Sequence, residues 1–580
     1  MKKWFFKNVP FDVSIITKRY NVSEAFAKVL VNRKFKNLNE MDEYLYPEKV
    51  KLKDAFLMKD MEGAVKLLNS KKNCKIFVVG DYDVDGVMST YILVKGLRTL
   101  GHEVGYRLPH REKDGYGIRD YMADEAKEFG ADILMTCDNG ISAVSAIEHA
   151  KKIGLDVIVT DHHEVPTDEN GEIKVPADLT VDPKQSECAY PFKDMCGAGI
   201  CYRLIQLLCN HDKKYNPMLV QLMIPAAIAT VCDVVPLKGE NRVIVRYGLK
   251  YINGKCSIVG LNELIKLCNF KKQIGGYDFG FRIGPCINAA GRLESAEKSL
   301  ELMLEEDESK AHELAAYLVD LNENRKTITE QGVDAAIEYI EENNLLEKKI
   351  LLVYVPDLSE AVAGIVAGRL REKYFHPVMV AVDAKGREGI VKASGRSIPA
   401  YHMQKGLNQI KDLLSEYGGH ALAAGFSFEK DKLEEIYAAL EANANLTEDD
   451  FVEKVYFDAE VPLKDATKQL VDELALMEPF GAENDSAKFV KRNVLIKRVF
   501  LCGKENKVGR FIIEDEGQTY NAVDFNVDVL TKPAIVSKYN EQAWESLVLP
   551  GFEGVSVDIM YAPDFNDYNN TVQFKIIDIR

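Results

Sequence analysis

The sequence predicts a multidomain α/β protein in four parts. These are a parallel-sheet domain whose strands end in acidic groups, a long connecting helix, a smaller second α/β domain and a C-terminal β-barrel. Three observations predict it. From Lys75 onward, short apolar strands alternate with amphipathic helices, the pattern of crossover units. A helical apolar period runs over 295–344. Beyond 450 the chain consists of short alternating strands separated by turns. A length of 580 residues suits about three or four domains.

Residues 1–70 read as an N-terminal helical lead-in. ITKRYNVSEAFAKVLVNR has helical spacing, NLNEMDEYLYP offers a cap at Asn37 or Asn39, and KDMEGAVKLLNSK is amphipathic. The next domain, 71–294, is organised around KIFVVGDYDVDG, Lys75 to Gly86. Its first half is a β-branched and aromatic strand. The strand stops at Gly80 and delivers Asp81, Asp83 and Asp85 to a strand-to-helix turn, before the helical VMSTYILVKGLRTL. Open α/β sheets place ligands at that end of their strands. Three anions so close repel one another unless a cation or strong donors neutralise them, and hard divalent ions with oxygen ligands are the natural partners. A calcium loop opens with the same DxDxDG, but its twelfth position needs Glu and here it is Ile92.

The pattern then repeats. EVGYRLP is a strand that leads into the turn-rich HREKDGYG, with His110 and Arg111, and GIRDYMADEAKEFG is a helix ending at Gly130. ADILMTCDNG is a strand delivering Asp138, AVSAIEHAKKIG a helix, and LDVIVTDHHE a strand delivering Asp161, His162 and His163. In a parallel sheet with right-handed crossovers, such strand ends lie side by side. The apolar NPMLVQLMIPAAIATVCDVVPLKGENR runs into Asp233, an acid that needs a partner there, as a helix cap or as a metal ligand. An Asp-rich set with one or two imidazoles suits Mn²⁺ or Mg²⁺ better than zinc. Two such ions about 4 Å apart clamp an in-line displacement at phosphorus, so the residues alone point to metal-assisted hydrolysis of a phosphoester.

With GDYDVDG, TCDNG, TDHHE and ATVCDVVPL in this order, the chain resembles the DHH phosphoesterases. YRLPHREKDGYG, VDPK, CGAGICYRL and GPCINAAGRL are similar to the RecJ branch of that superfamily. So are ASGRSI and YGGHALAAGF, and EPFGAEN before a β-rich tail. The likeness runs from about residue 20 to the C-terminus. It implies a DHH-type catalytic domain, a DHH-associated domain and a third domain. It also implies 5′→3′ hydrolysis of single-stranded DNA to 5′-mononucleotides, in recombination and repair. The metal ligands it implies are Asp83, Asp85, Asp138, His162 and Asp233, with Asp81 completing one ion's shell and Asp138 bridging two ions. His163 would then face the scissile phosphate as a donor, with Asp161 orienting a histidine. Arg111, Asn288 and Arg292 match positions that hold substrate phosphates. Cys286 stands where many members carry arginine, which removes one phosphate contact. A single-strand-binding protein and a helicase are implied as partners, and a monomer is expected.

The helical stretch 295–344 contains AHELAAYLVDLNENRKTITEQGVDAAIEYIEEN. One continuous helix of about 40 residues would span about 60 Å and link two domains, with Gly332 marking a bend; two shorter helices are the alternative. KKILLVYVPDL opens the second α/β domain, 345–446. AVAGIVAGRLREKY is its helix, HPVMVAVD a strand, and GREGIVKASGRSI a strand-turn segment carrying Ser394, Arg396 and Ser397. Gly418, Gly419 and His420 read as a tight turn whose N–H groups can approach an anion, and the matching family position favours a phosphate grip by His420. After the polar EANANLTEDD, the tail 451–580 fits an OB-fold-like barrel. Phe489, Phe511, Tyr520 and Phe525 are candidates to stack bases, and Lys491, Arg492, Lys497 and Arg498 to meet a nucleic-acid backbone. Alternation sends some of those aromatics into the barrel.

A net charge of −16 argues against a coating, non-specific nucleic-acid binder, while leaving room for a local basic groove. The 11 cysteines form no CxxC pair and read as small buried hydrophobes in a reducing compartment. The apolar N-terminal stretch is cut by Lys7 and Asp12, and no run reads as a membrane span, so the cytoplasm is the expected location. Two other readings compete. A small-substrate phosphatase of the same superfamily, acting on short oligonucleotides, cyclic dinucleotides or nucleotide bisphosphates, has no need of a domain beyond 450. A non-catalytic DNA-binding relative would have lost its metal positions, and here each is filled.

Overall fold

The β-branched runs KIFVV, ILMTC and DVIVT form the centre of a five-stranded parallel sheet. Its order is Glu103–Arg107, Lys75–Val79, Ile133–Cys137, Asp156–Thr160, Leu179–Val181. The computed structural model describes residues 2–7, 9–71, 73–169, 171–549 and 551–580. The strands are apolar throughout because helices cover both faces. Ile76, Val78, Met135 and Ile158 join one core with the helices Val84–Thr99 and Gly197–Leu208. The alternate residues Phe77, Val79, Leu134, Val157 and Val159 join a second core with the helices Asp120–Phe129 and Val144–Lys152. Asn139, fully buried, ties the strand ends together. Its Nδ2 donates to the carbonyls of Val79 (3.1 Å) and Cys137 (3.0 Å), and its Oδ1 accepts the N–H of Ile118.

The chain divides into two compact units, and this sheet belongs to Lys51–Glu453. Within that unit the helix Asn216–Cys232 packs against Gly239–Gly254. Among the described residues, Lys213–Cys232 is the one helical stretch long and apolar enough, by length and composition, to cross a membrane, which corrects the expectation of no such run; half of it is buried. The stretch expected as one connecting helix is two, Glu297–Leu304 and the 35-residue Glu308–Glu342, with Asp307 capping the second by accepting the Lys310 N–H at 2.9 Å. Thirty-five residues rise about 52 Å. Gly332, expected to mark a bend, lies inside this helix. A Cβ there would sit 2.6 Å from Leu358 Cδ1, so the glycine serves close packing of the second lobe.

That second lobe has the strand order Glu416–Gly419, Ala423–Glu429, Ile390–Arg396, Val378–Asp383, Leu351–Tyr354. Leu351–Tyr354 and Val378–Asp383 run parallel and the remaining pairs antiparallel. The helix Glu360–Tyr374 covers one face, and Met403–Gln409 with Leu433–Asn443 covers the other.

The other unit joins Met1–Val50 to Lys454–Arg580. Five strands close a barrel in the order Phe489–Cys502, Val508–Asp515, Gln518–Asp524, Thr571–Ile579, Val555–Asn566, the last pairing back to the first. The expected lead-in over 1–70 is therefore divided. Lys3–Phe6 is a strand paired in parallel with Lys454–Phe457, and Phe26, Leu30 and Leu45 join the barrel core, whereas the helix Met61–Ser70 packs in the parallel-sheet unit. Phe489 and Phe511 fill the barrel, Tyr520 packs edge-on against Phe574, and only Phe525 of the four candidate stacking rings is well exposed. Lys491, Arg492 and Lys497 are ion-paired with Asp515, Glu460 and Glu514.

Asn139→Ala would leave three backbone groups without their partner. It is expected to lower stability by roughly 2–4 kcal/mol, read as a fall in the urea midpoint of the metal-free protein; an unchanged midpoint would refute this role.

Candidate functional site

The strand Lys75–Val79 ends in a turn that only glycine can close, since a Cβ on Gly86 would lie 2.3 Å from the Asp81 carbonyl oxygen. Asp83 caps the following helix by accepting the Gly86 N–H at 3.1 Å. Asp85, in the first turn of that helix, is buried. Its carboxylate accepts the N–H groups of Gly197 (2.7 Å) and Ala198 (2.8 Å), at the start of the helix Gly197–Leu208. The positive end of that helix thus offsets one of the crowded anions.

The neighbouring strand Ile133–Cys137 delivers Asp138 in left-handed backbone (φ 60°), with its N–H held by the Thr160 carbonyl at 3.0 Å. Asp adopts this conformation more readily than most residues. The strand Asp156–Thr160 delivers Asp161, which accepts from the N–H of Ile141 (2.9 Å) and of His162 (2.7 Å) and bonds His163 Nδ1 at 2.8 Å. Asp233 stands at the C-terminus of Asn216–Cys232. His162 Nε2 lies 3.0 Å from Asp138 Oδ1, 3.5 Å from Asp85 Oδ2 and 3.7 Å from Asp233 Oδ2.

Three overlapping sets bring ligand atoms within 4.8 Å of one another: Asp81, Asp83 and Asp138; Asp85, His162 and Asp233; Asp138, His162 and His163. Burial pushes the carboxyl groups of Asp81, Asp85 and Asp138 up, and their acidic neighbours push them further. Asp233 is pushed up to about 8 by burial, then by Asp85 and Asp83. Asp81 Oδ1 is buried without a hydrogen-bond partner. A cation answers each of these features, and an oxygen-rich donor set with one imidazole fits Mn²⁺ or Mg²⁺. Burial also lowers His162, which favours the neutral, ligating imidazole. Burial alone would lower His163 too, but the bond to Asp161 lifts it to about 9.

Two groups beside the site are absent from the sequence reading. Tyr116 Oη donates to the Asp138 carbonyl at 3.0 Å and lies 3.0 Å from His163 Nδ1. Asp182 ends the fifth strand, is buried with one carboxylate oxygen unpartnered, and is pushed up to about 8 by burial and by Asp161. Its signal was the same acidic strand end that marks the others.

A guanidinium cluster lies in the same unit. Arg111 sits over the Tyr82 ring at 5.1 Å, and Arg292 donates to the Ala361 carbonyl at 3.2 Å. Burial, then Arg111 and Arg325, lowers Arg292 to about 10; burial, then Arg111 and Arg371, lowers Arg396. Among the described residues, Arg111, Arg292 and Arg396 form no ion pair. Arg111, Ser394 and Gly418 line one cavity of about 400 Å³. Asn288 Oδ1 is buried without a partner.

One expectation needs correction. Gly418 and Gly419 belong to an edge strand, paired with Gly425 and Ala424, and the His420 N–H is committed to the Ala423 carbonyl at 2.7 Å. The segment is a hairpin end rather than an open anion-binding turn, and Gly419 and His420 do not line the cavity. Cys286, expected to make no phosphate contact, is buried, its thiol donating to the Arg282 carbonyl at 3.3 Å and accepting from Asn322 on the long helix.

Comparison with known proteins gives three family-model matches: the DHH family N-terminal domain over residues 75–230, the DHHA1 domain over 347–445 and the RecJ OB domain over 457–578. The single-stranded-DNA-specific exonuclease RecJ of Dickeya dadantii is 33% identical over 509 residues, 83% of this chain and 86% of the relative. That of Bacillus subtilis is 32% identical over 521 residues, 89% of this chain; the chain spans only 64% of that relative's length. RecJ from Thermus thermophilus in complex with Mn²⁺ superposes with a TM-score of 0.79 at 28% identity, covering 100% of this chain and 79% of that one.

In the Asp161→Asn variant of the metal-free protein, His163 loses the anion that lifts it. Its titration, followed by NMR on labelled histidine, is expected to fall from about 9 toward the ordinary value near 6.5. An unmoved titration would contradict the assignment.

Proposed function

The chain belongs to the RecJ family of single-stranded-DNA-specific exonucleases, and from that premise we propose that it hydrolyses single-stranded DNA in the 5′→3′ direction to 5′-mononucleotides. The observation that carries this reading is the pairing, within one compact unit, of a buried carboxylate–imidazole cluster with a guanidinium cluster that has no carboxylate partners.

Asp81, Asp83, Asp85, Asp138, His162 and Asp233 would hold two ions of Mn²⁺ or Mg²⁺, with Asp138, common to two of the three sets, in the bridging position. Such ions supply an activated water and stabilise charge developing at phosphorus. The chain's own groups do the rest. Asp161 fixes the orientation of His163 and keeps it protonated near neutral pH, so that the imidazolium can donate to a phosphate oxygen. Arg111, Arg292 and Arg396, none of them in an ion pair, can each neutralise a phosphate of the strand, with Ser394 and Gly418 on the wall of the cavity that Arg111 also lines. Asn288, with its side-chain oxygen unpartnered, completes the substrate side. The five-stranded barrel at 457–578 favours a long strand over a dinucleotide, because small-substrate relatives have no use for it. A single-strand-binding protein and a helicase are proposed as partners on family grounds alone, for a monomer working in the cytoplasm in recombination and repair.

With Mn²⁺ present, a single strand labelled at its 5′ end is expected to yield a labelled mononucleotide at once. A 3′-labelled strand should shorten progressively, and a duplex should resist. Asp138→Ala should reduce the rate by roughly 10³-fold or more, and Arg396→Ala should weaken strand binding more than turnover. Cleavage of dinucleotides with no attack on any long strand would overturn the reading.

A further inference from the structure

Tyr277 and Phe281 are 67% and 66% exposed, and their rings stack on each other with centroids 4.5 Å apart and planes 16° apart. They sit on the helical run Gly276–Leu293, which widens to a π turn at Phe279–Ile283. Phe279 between them is fully buried, and its carbonyl accepts from the Cys232 thiol at 3.4 Å, one residue before Asp233. The exposed stack is therefore anchored against the end of the helix that carries an acid of the metal cluster. Val234, just past Asp233, is itself 70% exposed. An i,i+4 ring pair adds little to helix stability, which leaves two large rings in solvent without a structural reason.

The surroundings suit a nucleic acid. The segment FKKQIGGYDFGFR, 270–282, carries Lys271, Lys272 and Arg282 against a single acid, Asp278. Arg282 spans Asp278 at 3.3 Å and the face of Phe270 at 3.9 Å. Asn288 lies seven residues beyond Phe281 in the same helical run, and Arg292 follows four later. A strand whose phosphates meet Asn288 and Arg292 carries its neighbouring bases past the rings.

We propose that the Tyr277–Phe281 stack is a platform on which the protein seats a nucleobase of the single strand, next to the cleavage site. This rests on the functional reading above. Every base offers a π face, so the platform grips without selecting sequence and rejects a base held in a duplex.

The test uses the full chain with EDTA, to stop cleavage, and single strands carrying 2-aminopurine at successive positions. The intact protein is expected to quench one position strongly. In Tyr277→Leu/Phe281→Leu, which keeps apolar bulk but removes the rings, that quench is lost and binding weakens roughly tenfold. An abasic nucleotide at the quenched position should weaken the intact protein by a similar factor and leave the variant unaffected. Matching melting curves would show that the variant is folded. Single-strand binding and quench profiles identical in the two proteins would overturn the platform while leaving the exonuclease reading standing, and would turn the stack into a surface for another protein. No single-strand binding by the intact protein would remove the functional reading and the platform together.

Discussion

Mutual repulsion among buried carboxylates governs the architecture of this chain. Asp81, Asp85 and Asp138 are nearly or fully buried, and Asp83 and Asp233 lie among them. In water such charges would cost little; out of it each raises the proton affinity of the next. The fold supplies part of the answer by aiming the first turn of Gly197–Leu208 at Asp85 and by placing the His162 ring among Asp85, Asp138 and Asp233. The rest is left for cations. A parallel sheet suits this task because its register is enforced by two cores, so that strand ends remote in sequence are held within a few ångströms without any direct link between the acids.

The substrate side follows the complementary rule. A chain of net charge −16 nevertheless collects Arg111, Arg292 and Arg396, none of which forms an ion pair among the described residues. Gathered guanidinium groups repel as the carboxylates do, and a bound anion would relieve that unfavourable arrangement. The guanidinium cluster draws on both lobes, Arg111 and Arg292 from the one that carries the carboxylates and Arg396 from the second, and the long helix Glu308–Glu342 is the element that connects those lobes in sequence. Gly332 is part of that connection: it removes a side chain where Leu358 of the second lobe packs.

Much of the catalytic lobe is legible in the sequence, for a physical reason. Strands buried on both faces read as unbroken β-branched runs, so an Asp at the end of such a run stands out, as at Asp81, Asp138 and Asp161. The roles of Asp182 and Tyr116 are harder to see, because one follows a strand of only three residues and the other acts from an irregular loop. Pairings over long separations leave no local trace. KWFF near the N-terminus carries no sign that its partner is KVYF at 454–457, and the Gly418–Gly419 pair looks like a turn until its neighbour at 424–425 is known. Surface charge in the barrel misleads in the same way, since Lys491, Arg492 and Lys497 lie opposite acids that only the strand register reveals.

The most direct test of this account is the number of protons displaced by metal. Mn²⁺ is titrated calorimetrically into the metal-free protein at pH 7, in two buffers of different ionisation enthalpy. The account predicts two ions per chain and a net release of protons, because Asp233 is pushed up to about 8 and burial among acids pushes Asp81 and Asp138 in the same direction, so that a cation displaces protons from the cluster. Binding without proton release, or no saturable binding at all, would contradict it.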